Sequence, residues 1–239
     1  GVWSNCEREG NVKQVLDKAI GKNVVRVAGA VATANTLQIP SKKHTGLGLT
    51  GSFIYVQVRP LPHQLFTIII EVLCKDGTAT RITLSNMFRV YGRRGPRILV
   101  PLDLADEWYT VGLDVPSLLD RYKDPARPSE YWCLKSITVH AGVQLRNVYT
   151  SETPYRSTPD LNEDSEMVNL ESMPSAMQMS RTSTNTVIWA PSIPQISTYS
   201  SATSVPIRSL AAGQGDGLPS PLITSDAASV ASKDVFSVN

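Results

Sequence analysis

Residues 66–84 read FTIIIEVLCKDGTATRITL, and this stretch decides the class of fold. Its first part, 66–73, is apolar at nearly every position, which predicts a central β-strand covered on both faces. Asp76-Gly77 follows and predicts a tight hairpin turn, because both central positions of that turn need a positive φ. The next run, 80–84, alternates polar and apolar side chains, as a strand with one buried face does. The stretch therefore predicts an antiparallel hairpin inside a sheet.

Short runs of the same kind extend in both directions from this hairpin. Further strands are predicted at 25–31, 36–39, 53–58, 98–102, 108–113, 134–140 and 143–149. The last two are expected to form a hairpin around Ala141-Gly142. A short helix is predicted after the N-cap residue Asp114, with Pro116 in its first turn. The pattern predicts an all-β fold, an antiparallel jelly-roll-like β-sandwich with one short helix, followed by a disordered tail.

The predicted tail rests on a change of charge and composition after residue 156. Residues 1–156 contain 20 Lys or Arg against 13 Asp or Glu, whereas 157–239 contain 3 against 8, together with 24 Ser or Thr. Such a segment cannot bury enough apolar surface to offset a backbone ordering cost of about 1–2 kcal/mol per residue. We therefore predict a basic β-sandwich domain over 1–156 and a Ser/Thr/Pro-rich disordered linker or tail over 157–239, with 187–191 as a candidate docking peptide. Since the chain begins at Gly1 rather than Met, we expect it to be part of a longer protein.

No motif in the chain predicts catalysis. The sequence GLGLTG at 46–51 resembles a phosphate loop, but the run after it predicts a strand, where a phosphate loop requires a helix N-terminus. The acidic residues at 103–107 allow a glycosidase carboxylate pair, but a polar turn accounts for them better. The three cysteines lack the short spacing of a zinc site, and no apolar run is long enough to span a bilayer. We predict no enzyme activity, no catalytic residue, no cofactor, no metal and no membrane partner.

Basic residues in turns, in loops and near strand ends are the candidate binding residues. Four arginines fall within 89–97, in a predicted loop that contains Gly and Pro. Basic loops on a β scaffold attract acidic polymers. The candidates are Lys42, Lys43, Arg59, Arg89, Arg93, Arg94, Arg97 and Arg146.

Two other classes of ligand stay open as alternatives. A glycan-binding jelly roll presents aromatic platforms, for which Trp3, Trp108 and Trp132 are candidates, although each is expected in the core. A nucleic-acid-binding β domain stacks bases on exposed aromatic residues. Here Phe53 and Tyr55 lie within apolar runs, where a core position is expected. We therefore expect no nucleic acid as a partner.

Three groups of short motifs, in this order and spacing, carry a family resemblance. They are LQIP at 37–40 with GLGLTG at 46–51 and VRPLP at 58–62, then RITLSNMF at 81–88, then LKSI at 134–137 with LRNVYTS at 145–151. Together they resemble the domain shared by the cilia- and flagella-associated inner-junction proteins, over roughly residues 3–152. The similarity is greatest to the version found in the large centriolar WD-repeat members.

The resemblance implies a jelly-roll-like sandwich that binds the microtubule wall. The partners expected from it are tubulin and other inner-junction or inner-scaffold proteins. The location expected from it is the cytoskeleton, in the cilium axoneme, basal body or centriole. Arg59 and Arg146 lie within the matching stretches, whereas 89–97 falls where family members vary.

Overall fold

A computed structural model describes residues 5–44, 46–123, 130–156, 171–179 and 187–190. These ranges contain one helix, α1 (Val115–Arg121), two short 3-10 turns at Ala32–Ala34 and Ser175–Met177, and a series of strands. In chain order the strands are β1 (Glu7–Glu9), β2 (Val12–Asp17), β3 (Lys22–Val27), β4 (Thr36–Ile39), β5 (Phe53–Pro60), β6 (Thr67–Cys74), β7 (Ala79–Ser85), β8 (Gly92–Arg94), β9 (Arg97–Pro101), β10 (Tyr109–Asp114), β11 (Tyr131–His140), β12 (Val143–Ser151), β13 (Tyr155–Arg156), β14 (Glu171–Ser172) and β15 (Val187–Trp189).

Two large sheets form a sandwich. The seven-stranded sheet has the order β1-β4-β11-β6-β7-β9-β8, and the six-stranded sheet has the order β15-β10-β5-β12-β3-β2. Most neighbours are antiparallel, while β7–β9 and β10–β15 are parallel. Alternate side chains of both sheets point inward and are fully buried, such as Ile68 and Ile70 of β6 and Val56 and Val58 of β5. The predicted all-β, jelly-roll-like sandwich is confirmed.

The predicted β6–β7 hairpin is present, with two differences in detail. Gly77 has φ +79°, but Asp76 does not have a positive φ, so only one of the two turn positions is left-handed. The outer face of β6 is half-buried rather than covered, as at Ile69 and Leu73.

The predicted hairpin of 134–140 with 143–149 is wrong, because β11 and β12 belong to different sheets. β11 pairs with β4 and β6, whereas β12 pairs with β3 and β5. At the crossing, Gly142 has φ +105°, donates its N–H to the Val27 carbonyl (3.0 Å) and accepts from the Leu61 N–H (2.7 Å). The two residues between the strands therefore carry the chain across the core edge instead of closing a hairpin.

The predicted helix is confirmed. Asp114 caps it, since its Oδ1 accepts a hydrogen bond from the Ser117 N–H at 3.0 Å, and a proline stands in the first turn. Leu118 and Leu119 are buried against the sandwich. No helix among the described residues is both long and apolar enough to cross a membrane.

Several strands begin or end away from their predicted bounds. The strand predicted at 25–31 corresponds to β3, which begins earlier, at Lys22, and ends at Val27. The sequence does not predict the strands β1 and β2, because most of their side chains are polar and exposed and show no clear alternation of polar and apolar residues. The arginine-rich loop predicted at 89–97 contains the edge hairpin β8–β9 instead.

Two described segments beyond residue 156 pack on the outer face of the six-stranded sheet. Met173 and Met177 form a small buried cluster with Tyr55 and Val187, and β15 extends the sheet beside β10. The Gln57 amide donates to the Met177 carbonyl, and the Tyr149 hydroxyl donates to that of Ala176. The boundary at residue 156 stays a prediction, and most of the predicted disordered tail lies outside the described residues.

Candidate functional site

A row of charged side chains crosses the outer face of the seven-stranded sheet. Glu71 of β6 lies opposite Arg81 of β7, Arg81 lies beside Arg97 of β9, and Arg97 lies opposite Arg94 of β8. The residues next to them in the strands, Ile70, Ile82 and Ile98, are fully buried, so the charged side chains point outward. We call this set, together with Lys135 of β11, the basic row. At about 4.8 Å per strand it extends roughly 15–20 Å across the sheet.

Glu71 organises one end of the basic row. Its Oε1 lies 3.1 Å from Nε of Arg81 and its Oε2 lies 3.0 Å from Nζ of Lys135, while Ser136 donates to Oε2 at 3.4 Å. Partial burial raises the pKa of Glu71, but the hydrogen bonds and charges of Lys135 and Arg81 outweigh burial, so its pKa lies below the usual value. Glu71 is therefore ionised near neutral pH, and four cations against one carboxylate leave the row a net charge of +3.

The other end of the row is a cross-strand pair of like charges. Arg94 and Arg97 are exposed and directly opposite each other. Within the part of the chain that the structure describes, neither forms an ion pair with a carboxylate. Like charges in direct register destabilise a strand pair, so an anion placed over this hairpin would relieve an existing repulsion.

Arg93, which precedes this pair in sequence, has a different role. It is half-buried, its Nε donates to the Gly95 carbonyl at 2.9 Å, and its Nη1 donates to the Tyr122 carbonyl at the end of α1. Arg93 therefore links the edge hairpin to the end of the helix, and its guanidinium is hydrogen-bonded to main-chain carbonyl oxygens.

Two other predicted binding residues lie on the six-stranded sheet and are also engaged internally. Arg59 lies between two carboxylates, with Nε 2.8 Å from Oδ1 of Asp106 and Nη1 3.4 Å from Oδ2 of Asp17. Arg146 donates through Nη1 to Oε1 of Gln57 and to the Gln178 carbonyl, each at 3.0 Å. Both side chains hold parts of the sandwich together.

The remaining candidates lie in separate exposed turns and loops. Lys42 and Lys43 follow β4, and Nζ of Lys42 lies 3.4 Å from Oε1 of Glu7. Arg89 lies after β7, in a cleft that Asp103 and Asp106 also line. The eight predicted residues thus do not form one site, and only Arg94 and Arg97 belong to the basic row.

Sequence reasoning missed three members of the row, Glu71, Arg81 and Lys135. The position of Arg81 could have been predicted from the sequence, because the Asp76-Gly77 turn fixes the register of the hairpin and so places Glu71 opposite Arg81. No sequence pattern indicates the position of Lys135, since it is the extra residue of a bulge between Leu134 and Ser136 of β11.

The aromatic candidates for glycan or nucleic-acid binding do not all lie in the core. Tyr55 is buried, as expected. Phe53 and Trp108 are only half-buried, and Trp132 is 54% exposed, which corrects their expected place in the core. Trp3 lies outside the described residues. No group of three or more His, Cys, Asp or Glu that could hold a metal ion occurs among the described residues.

Comparison with known proteins assigns the family. Residues 1–169 match the CFA20 domain. The chain belongs to the CFA20 domain family. Human WD repeat-containing protein 90 is 32% identical over 165 residues, which cover 63% of this chain and 9% of that protein. Centriole proteome protein 16 of Chlamydomonas reinhardtii is 27% identical over 195 residues, covering 79% of this chain and 8% of that protein.

The CFA20 chain thus spans less than a tenth of the length of these relatives, whose names are those of a WD-repeat protein and a centriole protein and not of enzymes. Among solved structures, an exo-beta-agarase matches with a TM-score of 0.34 and 12% identity, over 63% of this chain and 23% of that chain. At that TM-score the likeness supports neither a shared fold nor a shared activity.

Proposed function

We propose that this CFA20 chain is a non-enzymatic structural module that binds the tubulin lattice through the basic row. The family and the relatives support a structural role at the cilium or centriole. They fit a location in the cytoskeleton, at the centriole, basal body or cilium. The finer assignment, to the inner junction or inner scaffold beside other proteins of those assemblies, is part of the proposal.

The observation that carries the proposal is the exposed Arg94–Arg97 pair at the end of a row of cations. These cations lie on an open sheet face, and the described carboxylates leave the pair unneutralised. The six-stranded sheet is a less suitable binding face, because Arg59 and Arg146 already form ion pairs or hydrogen bonds within the chain. Residues 173–179 also cover part of its outer face. An extended basic face suits a broad acidic polymer better than a small ligand.

The expected strength of such contacts sets the form of binding. An exposed ion pair contributes about 0.2–1 kcal/mol, so the four cations of the row together contribute only a few kcal/mol. Useful affinity must then come from repetition along a lattice or from other modules of a longer protein. Binding should weaken with salt, because exposed charges are screened over about 8–10 Å.

The chain offers a matched pair of variants that tests the proposed face. In R94E/R97E a cross-strand cation pair on the edge hairpin β8–β9 is reversed. In K13E/R26E the charges of an equivalent cross-strand pair are reversed on the edge hairpin β2–β3, which belongs to the opposite sheet. The change in net charge is the same in both variants. We expect the affinity for stabilised microtubules, measured by co-sedimentation, to fall at least tenfold for R94E/R97E and less than twofold for K13E/R26E.

Three outcomes would contradict the proposal. Equal losses in the two variants would mean that net charge alone drives binding. A loss confined to K13E/R26E would assign the contact to the six-stranded sheet. Binding of single-stranded RNA or DNA that is tighter than binding of microtubules would favour the nucleic-acid alternative.

A further inference from the structure

An apolar pocket adjoins the Lys135 end of the basic row. Leu73 and the buried Cys133 line it together with the half-exposed ring of Trp132, and the glycine-rich segment at 46–50 closes one side. Its volume is about 280 Å³, enough for one aromatic or large aliphatic side chain. The neighbouring Leu49 is also 39% exposed.

The segment 46–50 is fixed in this place by the main chain of β11. The Leu47 N–H donates to the Lys135 carbonyl at 2.8 Å, the Gly48 N–H to the Leu134 carbonyl at 3.1 Å, and the Leu134 N–H to the Leu49 carbonyl at 2.7 Å. The glycines that resemble a phosphate loop thus continue the sheet beyond β4 and form a wall of the pocket.

The pocket and the basic row form one continuous surface. Lys135 lines the pocket and also bonds Glu71 at 3.0 Å. Leu73 lies two residues after Glu71 on the same face of β6, about 7 Å away. From the pocket, the cations continue across β7, β9 and β8 for roughly 15–20 Å, the length of about five or six extended residues.

We infer that this surface binds an extended acidic peptide that inserts one aromatic or large aliphatic side chain into the pocket beside Trp132. The carboxylates of the peptide lie over Arg81, Arg97 and Arg94, where they relieve the repulsion of the cross-strand pair. The apolar anchor fixes the position of the peptide, which charge alone does not do. The occupant is a peptide because a rigid duplex or a sugar offers no single apolar side chain beside a run of carboxylates.

The inference deepens the proposed function by naming the chemistry of the partner segment, and it is tested without microtubules. The probe is a fluorescein-labelled peptide with six glutamates, Gly-Phe-Gly and six more glutamates, so that either chain direction fits. Its control replaces Phe with Ser. The full chain is titrated into each labelled peptide, and binding is followed by the fluorescence anisotropy of the peptide at two salt concentrations.

Two protein variants separate the anchor from the charge. W132A should weaken the Phe peptide at least fivefold and the Ser peptide less than twofold, because only the former uses the pocket. R94E/R97E should weaken both peptides at least tenfold. L16A removes a similarly exposed apolar side chain from the opposite sheet, and like K13E/R26E it should change either affinity less than twofold.

The inference is overturned if the unchanged chain binds the Phe and Ser peptides equally, or if W132A weakens both to the same extent. It is also overturned if a single-stranded oligonucleotide of equal charge binds as tightly as the Phe peptide. Peptide binding without microtubule binding would remove the proposed function alone. Microtubule binding without anchored peptide binding would remove this inference alone.

Discussion

At the scale of single residues, Arg59 illustrates an arginine that serves the fold. Its guanidinium joins Asp17 of β2, which is only 5% exposed, to Asp106 in the loop before β10. Removing one partner of a largely buried charge pair leaves the other charge without compensation. We predict that R59Q lowers the free energy of unfolding by about 1–3 kcal/mol, measured by urea denaturation.

Arg26 provides the matched control for this prediction. It lies exposed on the outer face of the same sheet, and a surface change of this kind alters stability by less than about 0.5 kcal/mol. Equal stability of R59Q and R26Q would show that the Arg59 ion pairs contribute little to the fold. It would also return Arg59 to the set of residues available for a partner.

At the scale of elements, the crossing between β11 and β12 depends on Gly142. A Cβ at this position would lie 2.2 Å from the Leu65 carbonyl oxygen, and its φ of +105° disfavours any L side chain. Because the obstructing atom belongs to the main chain, it cannot move aside cheaply. We predict that G142A destabilises the domain by about 3 kcal/mol or more, by thermal and urea unfolding.

Gly21, in the turn between β2 and β3, separates the two components of that cost. It has φ +63°, but a Cβ there meets nothing within 4 Å. G21A should therefore cost only the backbone strain of about 1–2 kcal/mol. If G142A costs no more than G21A, the close approach to Leu65 is not a constraint on the crossing.

The same crossing explains why the sequence predicted one hairpin correctly and the other wrongly. At Asp76-Gly77, the hydrogen bonds that close the turn are local, such as the Gly77 N–H to the Cys74 carbonyl at 2.9 Å. At Gly142, the partners are Val27 and Leu61, far away in the chain. Two apolar runs with a short Gly-containing link look alike in sequence, and only distant contacts decide between a hairpin and a crossing.

At the scale of the whole molecule, the sequence predicted the sandwich and the basic character of the domain but not the arrangement of its charges. The cluster at 89–97 indicated Arg94 and Arg97 because they lie only three positions apart in sequence. The full row depends on sheet order, since Arg81 and Arg97 meet through the parallel pairing of β7 with β9. Such a pairing, which is not a hairpin, leaves no local pattern.

The arrangement of the two sheets also predicts how the molecule responds to shortening. Residues 173–179 and β15 lie on the six-stranded sheet, whereas the basic row lies on the seven-stranded sheet. We predict that a chain ending at residue 156 loses about 2–4 kcal/mol of unfolding free energy, as buried apolar contacts are lost but their ordering cost is recovered. Its affinity for microtubules should change less than twofold. A chain ending at residue 195 should match the full chain in both measurements.

Tyr55 reports directly on this packing. It is fully buried beside Met173 and Met177, its hydroxyl accepts a hydrogen bond from the Tyr155 N–H at 2.8 Å, and burial raises its pKa to about 12. In the chain ending at 156 the ring becomes exposed, so its pKa should fall toward the usual value near 10. Ultraviolet titration should then show one more tyrosine ionising near pH 10 than in the chain ending at 195. Identical titration curves for the two chains would contradict the docking of residues 171–179 and β15 on this sheet. A loss of microtubule affinity on shortening would assign the lattice contact to that face.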